Sequence, residues 1–108
     1  NFLTTLTRLQ ETEDFLQDLT QDTFKEISFS QNNIYYLSIQ KLLELPPVLR
    51  YRVLIHWIIM QQLPFTPSQS FLDEILRFLK QSKKTHDIHH QWIIIKKDDL
   101  CFLQKKVD

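Results

Sequence analysis

Apolar side chains in the first quarter of the chain recur at helical steps. Phe2, Leu6, Leu9, Leu16, Leu19, Thr23 and Ile27 fall near one stripe at intervals of three, four or seven, the mark of an amphipathic helix. Glu13 interrupts the stripe, Phe15 lies beside it, and no Pro or Gly breaks the run. The pattern predicts one long helix over 2–27. "SFSQNN" (28–33) is turn chemistry. "IYYLSI" (34–39) is dense in β-branched and aromatic residues and predicts a short strand. "QKLLEL" reads as a helical turn that stops ahead of Pro46, because a residue before proline avoids the helical region.

Pro47 sits where a first-turn proline is tolerated, since its missing amide hydrogen has no helical partner there. A helix over 47–62 follows. Leu49, Val53, Trp57 and Met60 line one face, Leu54 and Ile58 widen it, and Ile55 and Ile59 extend it further. A helix apolar on so many sides belongs in the core. Tyr, Val and Ile favour sheet, but length and the proline start argue for helix. The next segment gives the cleanest local signal. Thr66 is a good N-cap, Pro67 suits the first helical position and Gln69 completes a capping box. Phe71, Leu72, Ile75, Phe78 and Leu79 form the face to be buried. "THDIHHQ" (85–91) reads as a polar loop. "WIIIKKDDLCFL" predicts a β-hairpin: 92–95 out, a turn over 96–99, 100–103 back. It lacks Asn-Gly or Asp-Gly, so a four-residue turn is expected. The sum is an α+β fold, mainly helical, with a C-terminal hairpin that the strand near 34–39 can join.

At 108 residues the chain fits one domain, and 43% apolar against 24% charged residues excludes a disordered tail. An initial Asn in place of Met suggests a piece of a larger protein. Glycine is absent altogether. Phosphate-cradling loops need it for close backbone approach and positive φ, so the residues offer no P-loop, dinucleotide fingerprint or nucleophile elbow. The lone Cys101 allows no internal disulfide and is compatible with a reducing cytoplasm. No apolar run approaches the roughly 20 residues that cross a bilayer, so no membrane partner is expected.

The net charge is zero but uneven. Up to Asn33 six acids face Arg8 and Lys25, a balance of −4, so the remainder carries +4. Its bases gather at Arg50/Arg52, over Arg77–Lys84, at Lys96/Lys97 and at Lys105/Lys106. Arginines and lysines position phosphates, and most such clusters elsewhere are solvated surface. His86, His89, His90 and Cys101 match no zinc spacing, so no metal is expected. Asp73/Glu74 and Asp98/Asp99 are adjacent pairs on a helix surface and a turn, where acids solubilise. No catalytic constellation and no small-molecule site emerges.

The order of short motifs adds a resemblance. "L-x-L-P-P-x-x-R" (43–50) leads into an apolar helix with Trp, then "LP", a proline-capped helix with "LDEIL", a short basic linker with Asp, and a hydrophobic strand pair. This order resembles the substrate-binding domain of the tRNA(Ile)-lysidine synthetase family. Leu45, Pro46, Pro47, Arg50, Leu54, Trp57, Leu63, Pro64, Leu72, Ile75, Asp87 and Leu100–Leu103 carry it. "LTRLQETEDFLQDL" (6–19) resembles the acidic helix that connects that family's catalytic domain to this one. There are departures. The family tends to place arginine just before the Trp, where Ile55 and His56 stand here. It often has glycine before "LP", where Gln62 stands, and its arginine pair leading into the last strand appears as Lys96 and Lys97. Lysine does not reproduce the bidentate fork of arginine.

The resemblance implies a 1–27 connecting helix and a 28–108 tRNA-recognition unit without catalysis of its own. The family's enzymes are ATP-dependent ligases. They adenylate the wobble cytidine of tRNA(Ile) and join lysine to it, a cytoplasmic tRNA modification. ATP would then be held by a catalytic part of the parent, with no cofactor in these residues and tRNA as the partner. Arg50, Arg52, Lys80, Lys83, Lys84, Lys96 and Lys97 are the expected phosphate contacts. The other class left open is a helical protein-interaction module with no RNA role, its acidic first helix docking a basic partner.

Overall fold

The computed structural model describes residues 1–106; Val107 and Asp108 of the expected 28–108 unit, and the side chain of Phe2, lie outside the described residues. The long first helix, α1 (Phe2–Ile27), is capped by the Asn1 side chain, which accepts from the Leu3 N–H. Its stripe is buried only toward its end, at Thr20, Thr23, Phe24 and Ile27. Leu3, Leu6, Leu9 and Phe15 are exposed, Leu3 at 70% and Phe15 at 64%. Burial along the whole stripe is therefore not realised. The reason is length: 26 helical residues run about 39 Å, whereas the 14-residue helix they lie against runs about 21 Å. That partner is α3 (Pro47–Met60).

The expected turn over 28–33 is a hairpin. β1 (Ser28–Gln31) and β2 (Ile34–Ser38) are joined by Asn32 and Asn33 alone, both left-handed at φ 54° and 64°. Asn tolerates that region, and two positive-φ residues match the twist of paired strands. α2 (Ile39–Leu43) follows, then α3, then α4 (Gln69–Leu79). α4 begins later than expected. Its cap is Ser68, whose hydroxyl accepts from the Phe71 N–H, and not Thr66. Both hydroxyls are suitable caps by chemistry, so composition did not separate them. Ile59 (61%) and Met60 (37%) at the end of α3 are exposed, which narrows the buried face to Val53, Leu54, Trp57 and Ile58.

The expected polar loop at 85–91 is largely a strand, β3 (Thr85–His89), paired antiparallel with β4 (Trp92–Lys97). An edge strand needs few apolar residues, because one edge and one face meet water. β5 (Leu100–Lys105) returns from β4 after a two-residue turn, Asp98–Asp99, with Asp98 at φ 55°. The turn is thus shorter than four residues, and Lys96 and Lys97 lie inside the strand. The sheet is antiparallel throughout, in the order β1-β2-β5-β4-β3. The hairpin and the strand at 34–38 do join, through Leu37↔Cys101. The architecture is α+β, with helices packed on one face of the sheet.

Trp57 holds the layers together. It is wholly buried, and its indole N–H donates to the Tyr35 carbonyl of β2 at 3.1 Å. Leu37, Ile94, Cys101 and Leu103 come up from the sheet to meet Val53, Leu54 and Ile58 of α3 and Leu72, Ile75 and Phe78 of α4. Asp99 ties the distal turn to α2. Its carboxylate accepts from the Ser38 hydroxyl (2.6 Å) and the Gln40 N–H (2.9 Å), and its carbonyl from the Ile39 N–H (2.7 Å).

Candidate nucleic-acid interface

α4 turns Leu72, Ile75, Leu76, Phe78 and Leu79 inward, which leaves Glu74, Arg77 and Lys80 on its outer side. The chain then leaves the helix through residues 81–84 and enters β3. The Lys84 carbonyl accepts from the Lys96 N–H at 2.8 Å, extending the β3–β4 ladder by one position. That pairing brings two basic stretches twelve residues apart in sequence to the same end of the sheet. Lys80, Lys83, Lys84 and Lys96 stand where α4 ends, β3 begins and β4 finishes, and Lys97 is the last residue of β4. Arg77 joins them, lining with Lys83, His86, Ser70, Glu74 and Gln81 a depression of about 360 Å³. A second depression of about 400 Å³ is lined by Lys84 and Lys96 together with Asp98 and Asp99.

The lysines of this cluster do not behave alike. Among the described residues Arg52 pairs with Glu13 and Lys106 with Asp87, and His86 lies within hydrogen-bond distance of Glu74. Lys80, Lys83, Lys84 and Lys97 are exposed and enter none of these pairs. Lys96 is half-buried. Its Nζ donates to the Phe78 carbonyl at 2.9 Å and to the Gln81 carbonyl, and lies 4.4 Å from the centre of the Phe78 ring. Burial, and secondly the nearby Lys84 charge, holds its pKa below the usual lysine value. Strand alternation then puts Lys97 on the opposite face of the sheet, away from the helices.

The two arginines are engaged elsewhere. Arg50 bridges the end of α2: one Nη2 donates to the Leu43 carbonyl (2.9 Å) and the Leu45 carbonyl (3.0 Å). Its Nε is buried without a partner. Arg52 forms a two-pronged pair with Glu13 of α1, at 3.0 and 2.9 Å. The hydrogen bonds of that pair raise the arginine pKa and lower that of the carboxylate. The opening residues of α3 are therefore fastened to α2 and α1, and the seven expected contacts divide into five lysines at one end of the sheet, Lys97 on its far face, and two arginines bound within the fold.

Arg77 and His86 were not among the expected contacts. Arg77 was legible, being three residues before Lys80 on the same helix. His86 was not, because only the β3 pairing brings it to Glu74 (2.7 Å) and against Phe78. Among the described residues no group of three or more His, Cys, Asp or Glu side chains is placed to hold a metal ion. No helix among them is long and apolar enough to cross a membrane.

A family model described as the TilS substrate binding domain matches residues 37–100, from the penultimate residue of β2 to the first residue of β5. The chain belongs to the TilS substrate-binding domain family. No curated protein matches it. Membership associates the chain with tRNA modification and with tRNA(Ile)-lysidine synthetase. Within the TilS match lie Trp57, the two prolines at the start of α3, the whole of α4 and all five of these lysines. α1 lies outside it. The glycine that the family often carries before "LP" has a physical counterpart in this TilS domain: Gln62 adopts φ 53°, the left-handed region that glycine enters most easily.

Proposed function

We propose that this chain is the tRNA-recognition part of a tRNA(Ile)-lysidine synthetase, the ATP-dependent ligase that joins lysine to the wobble cytidine of tRNA(Ile). Membership of the TilS substrate-binding family carries the reading. The gathering of exposed lysines at one end of the sheet, none of them in an ion pair among the described residues, supports it. In this reading Lys80, Lys83, Lys84 and Lys97, with Arg77, contact phosphates and fix the register of the RNA, and carry no sequence information themselves. The chemistry and the ATP belong to a catalytic part of the parent in the cytoplasm. α1 (1–27) connects to it and 28–108 holds the tRNA, so that the anticodon base is presented in the right place. Positioning of this kind contributes to rate by removing orientational freedom before the reaction.

Labelled tRNA titrated against the chain at several salt concentrations tests the proposal. Phosphate binding releases counterions, so affinity should fall steeply with salt, by roughly one power of the salt concentration for each phosphate neutralised. Reversal of Lys83 and Lys84 to Glu should abolish most of the binding. Salt-independent affinity, or binding untouched by the double reversal, would refute it. A second reading has one observation in its favour. Leu3, Leu6, Leu9 and Phe15 stand exposed along the free part of α1, as on a helix that docks another protein. Capture of a partner that survives nuclease treatment would favour it.

A further inference from the structure

We propose that Lys96 is a positioning residue that clamps the basic segment 80–84, and is not itself a phosphate contact. The inference rests on the RNA reading above. An ammonium has three N–H donors. Two of those of Lys96 go to the Phe78 and Gln81 carbonyls, and the Phe78 ring, almost fully buried, lies beneath it. The charge is therefore spent inward, on two carbonyls at the C-terminal end of α4, where a cation also suits the helix dipole. Those two carbonyls flank Lys80 in the chain.

The main chain of the same residue holds the other end of the segment. The Lys96 N–H donates to the Lys84 carbonyl at 2.8 Å. One residue thus binds the 81–84 segment where it leaves α4 and where it enters β3, with Lys83 carried between. Lys80 and Gln81 add the turn bonds of the helix end, to the Arg77 and Phe78 carbonyls at 3.2 and 3.0 Å. A segment held at both ends loses less freedom when its lysines meet phosphate. Fixing a free backbone residue costs conformational entropy, and a preordered site avoids part of that cost.

The test separates positioning from contact on the full chain. In the protein without RNA, Lys96→Met should speed hydrogen exchange of the Gln81 amide, which donates to the Phe78 carbonyl, and Lys96→Arg, which keeps a cation at the carbonyls, should restore protection. With tRNA, Lys96→Met should weaken binding several-fold while leaving the slope of log affinity against log salt unchanged. Lys83→Gln should lower that slope by about 0.7–0.9 with exchange unaltered. Lysine acetylation of the unmutated chain supplies an arm that needs no variant. Lys96 should be slow to react with or without tRNA, whereas tRNA should shield Lys83 and Lys84. The assignment is overturned if Lys96→Met reduces the salt slope as Lys83→Gln does, if the Gln81 amide of that variant exchanges at the wild-type rate, or if free Lys96 acetylates readily and tRNA shields it. A wild-type chain that binds no tRNA at all would instead overturn the RNA reading, while the exchange result still judges the clamp.

Discussion

Gln62→Gly should stabilise the protein, and its size follows from the backbone. A chain without glycine still has to end α3, and it does so with Gln62 at φ 53°. The Gln62 N–H donates to the Ile59 carbonyl at 3.1 Å and the preceding Gln61 N–H to Ile58, so the left-handed residue closes the helix as a glycine would. A side chain in that region costs an L-residue about 1–2 kcal/mol. Glycine removes that cost but brings an unfolded chain with more freedom, worth about 0.5–1 kcal/mol against it. The net gain is about 0.5–1 kcal/mol, or roughly 2–6 °C in Tm for a domain of this size. Gln62 is exposed, so little packing is sacrificed. The assay is thermal unfolding followed by circular dichroism, with Gln62→Ala as control. Alanine keeps the Cβ that clashes, so it should show no gain. If the glycine variant melts at or below the wild type, or if alanine gains as much, the strain argument is wrong.

Three further outcomes follow from the core and the caps. Trp57→Ala should cost about 3–5 kcal/mol, because it empties a fully buried site and leaves the Tyr35 carbonyl without the indole donor; an unchanged urea midpoint would remove Trp57 from the centre of the fold. Arg50→Met should destabilise by about 1.5–3 kcal/mol through the loss of its bonds to the Leu43 and Leu45 carbonyls. The same variant should leave the salt slope of tRNA binding at the wild-type value; a slope reduced by one phosphate would return Arg50 to the RNA surface. Cys101 sets a pH dependence. Burial, and next the Asp99 charge, pushes its thiol from 9.0 up to about 12, so the folded state keeps a proton that the unfolded chain releases. Its contribution is whole below pH 9 and is lost as pH rises toward 12. By pH 10 the loss is about 1.4 kcal/mol. The fall in urea-unfolding stability from pH 8 to pH 10 should be smaller by that amount in Cys101→Ala, and an equal fall in both would contradict it.

Where the sequence was read well, a single element announced itself. The period of α1, the proline start of α3 and the amphipathic face of α4 each depend on neighbours in the chain, and each helix stands where periodicity placed it to within a few residues. The β4–β5 hairpin was legible for the same reason, since its two strands are apolar and close together. β1 and β3 were not. Their residues, Ser28–Gln31 and Thr85–His89, are those of turns and loops, and they become strands only because a neighbouring strand satisfies their amides. The absence of glycine also hid the turns. Asn32, Asn33, Gln62 and Asp98 do its work at positive φ, and only the asparagines carry a sequence signal for it.

The candidate site divides along the same line. Local charge density picked out Lys80, Lys83, Lys84, Lys96 and Lys97, and it ranked Arg50 and Arg52 alongside them. Which cations remain free is a tertiary question. Arg52 meets Glu13 across 39 positions and Lys96 reaches Gln81 across 15, and charge along a sequence does not record such partners. The sequence by itself determined the helices, the centre of the core at Leu54, Trp57, Ile58, Ile75 and Phe78, and the family, because periodicity, proline placement and motif order are carried by near neighbours. Only the tertiary structure decided which half of α1 is covered, which strands exist and which lysines face water, because each of these depends on groups that folding brings together from distant parts of the chain.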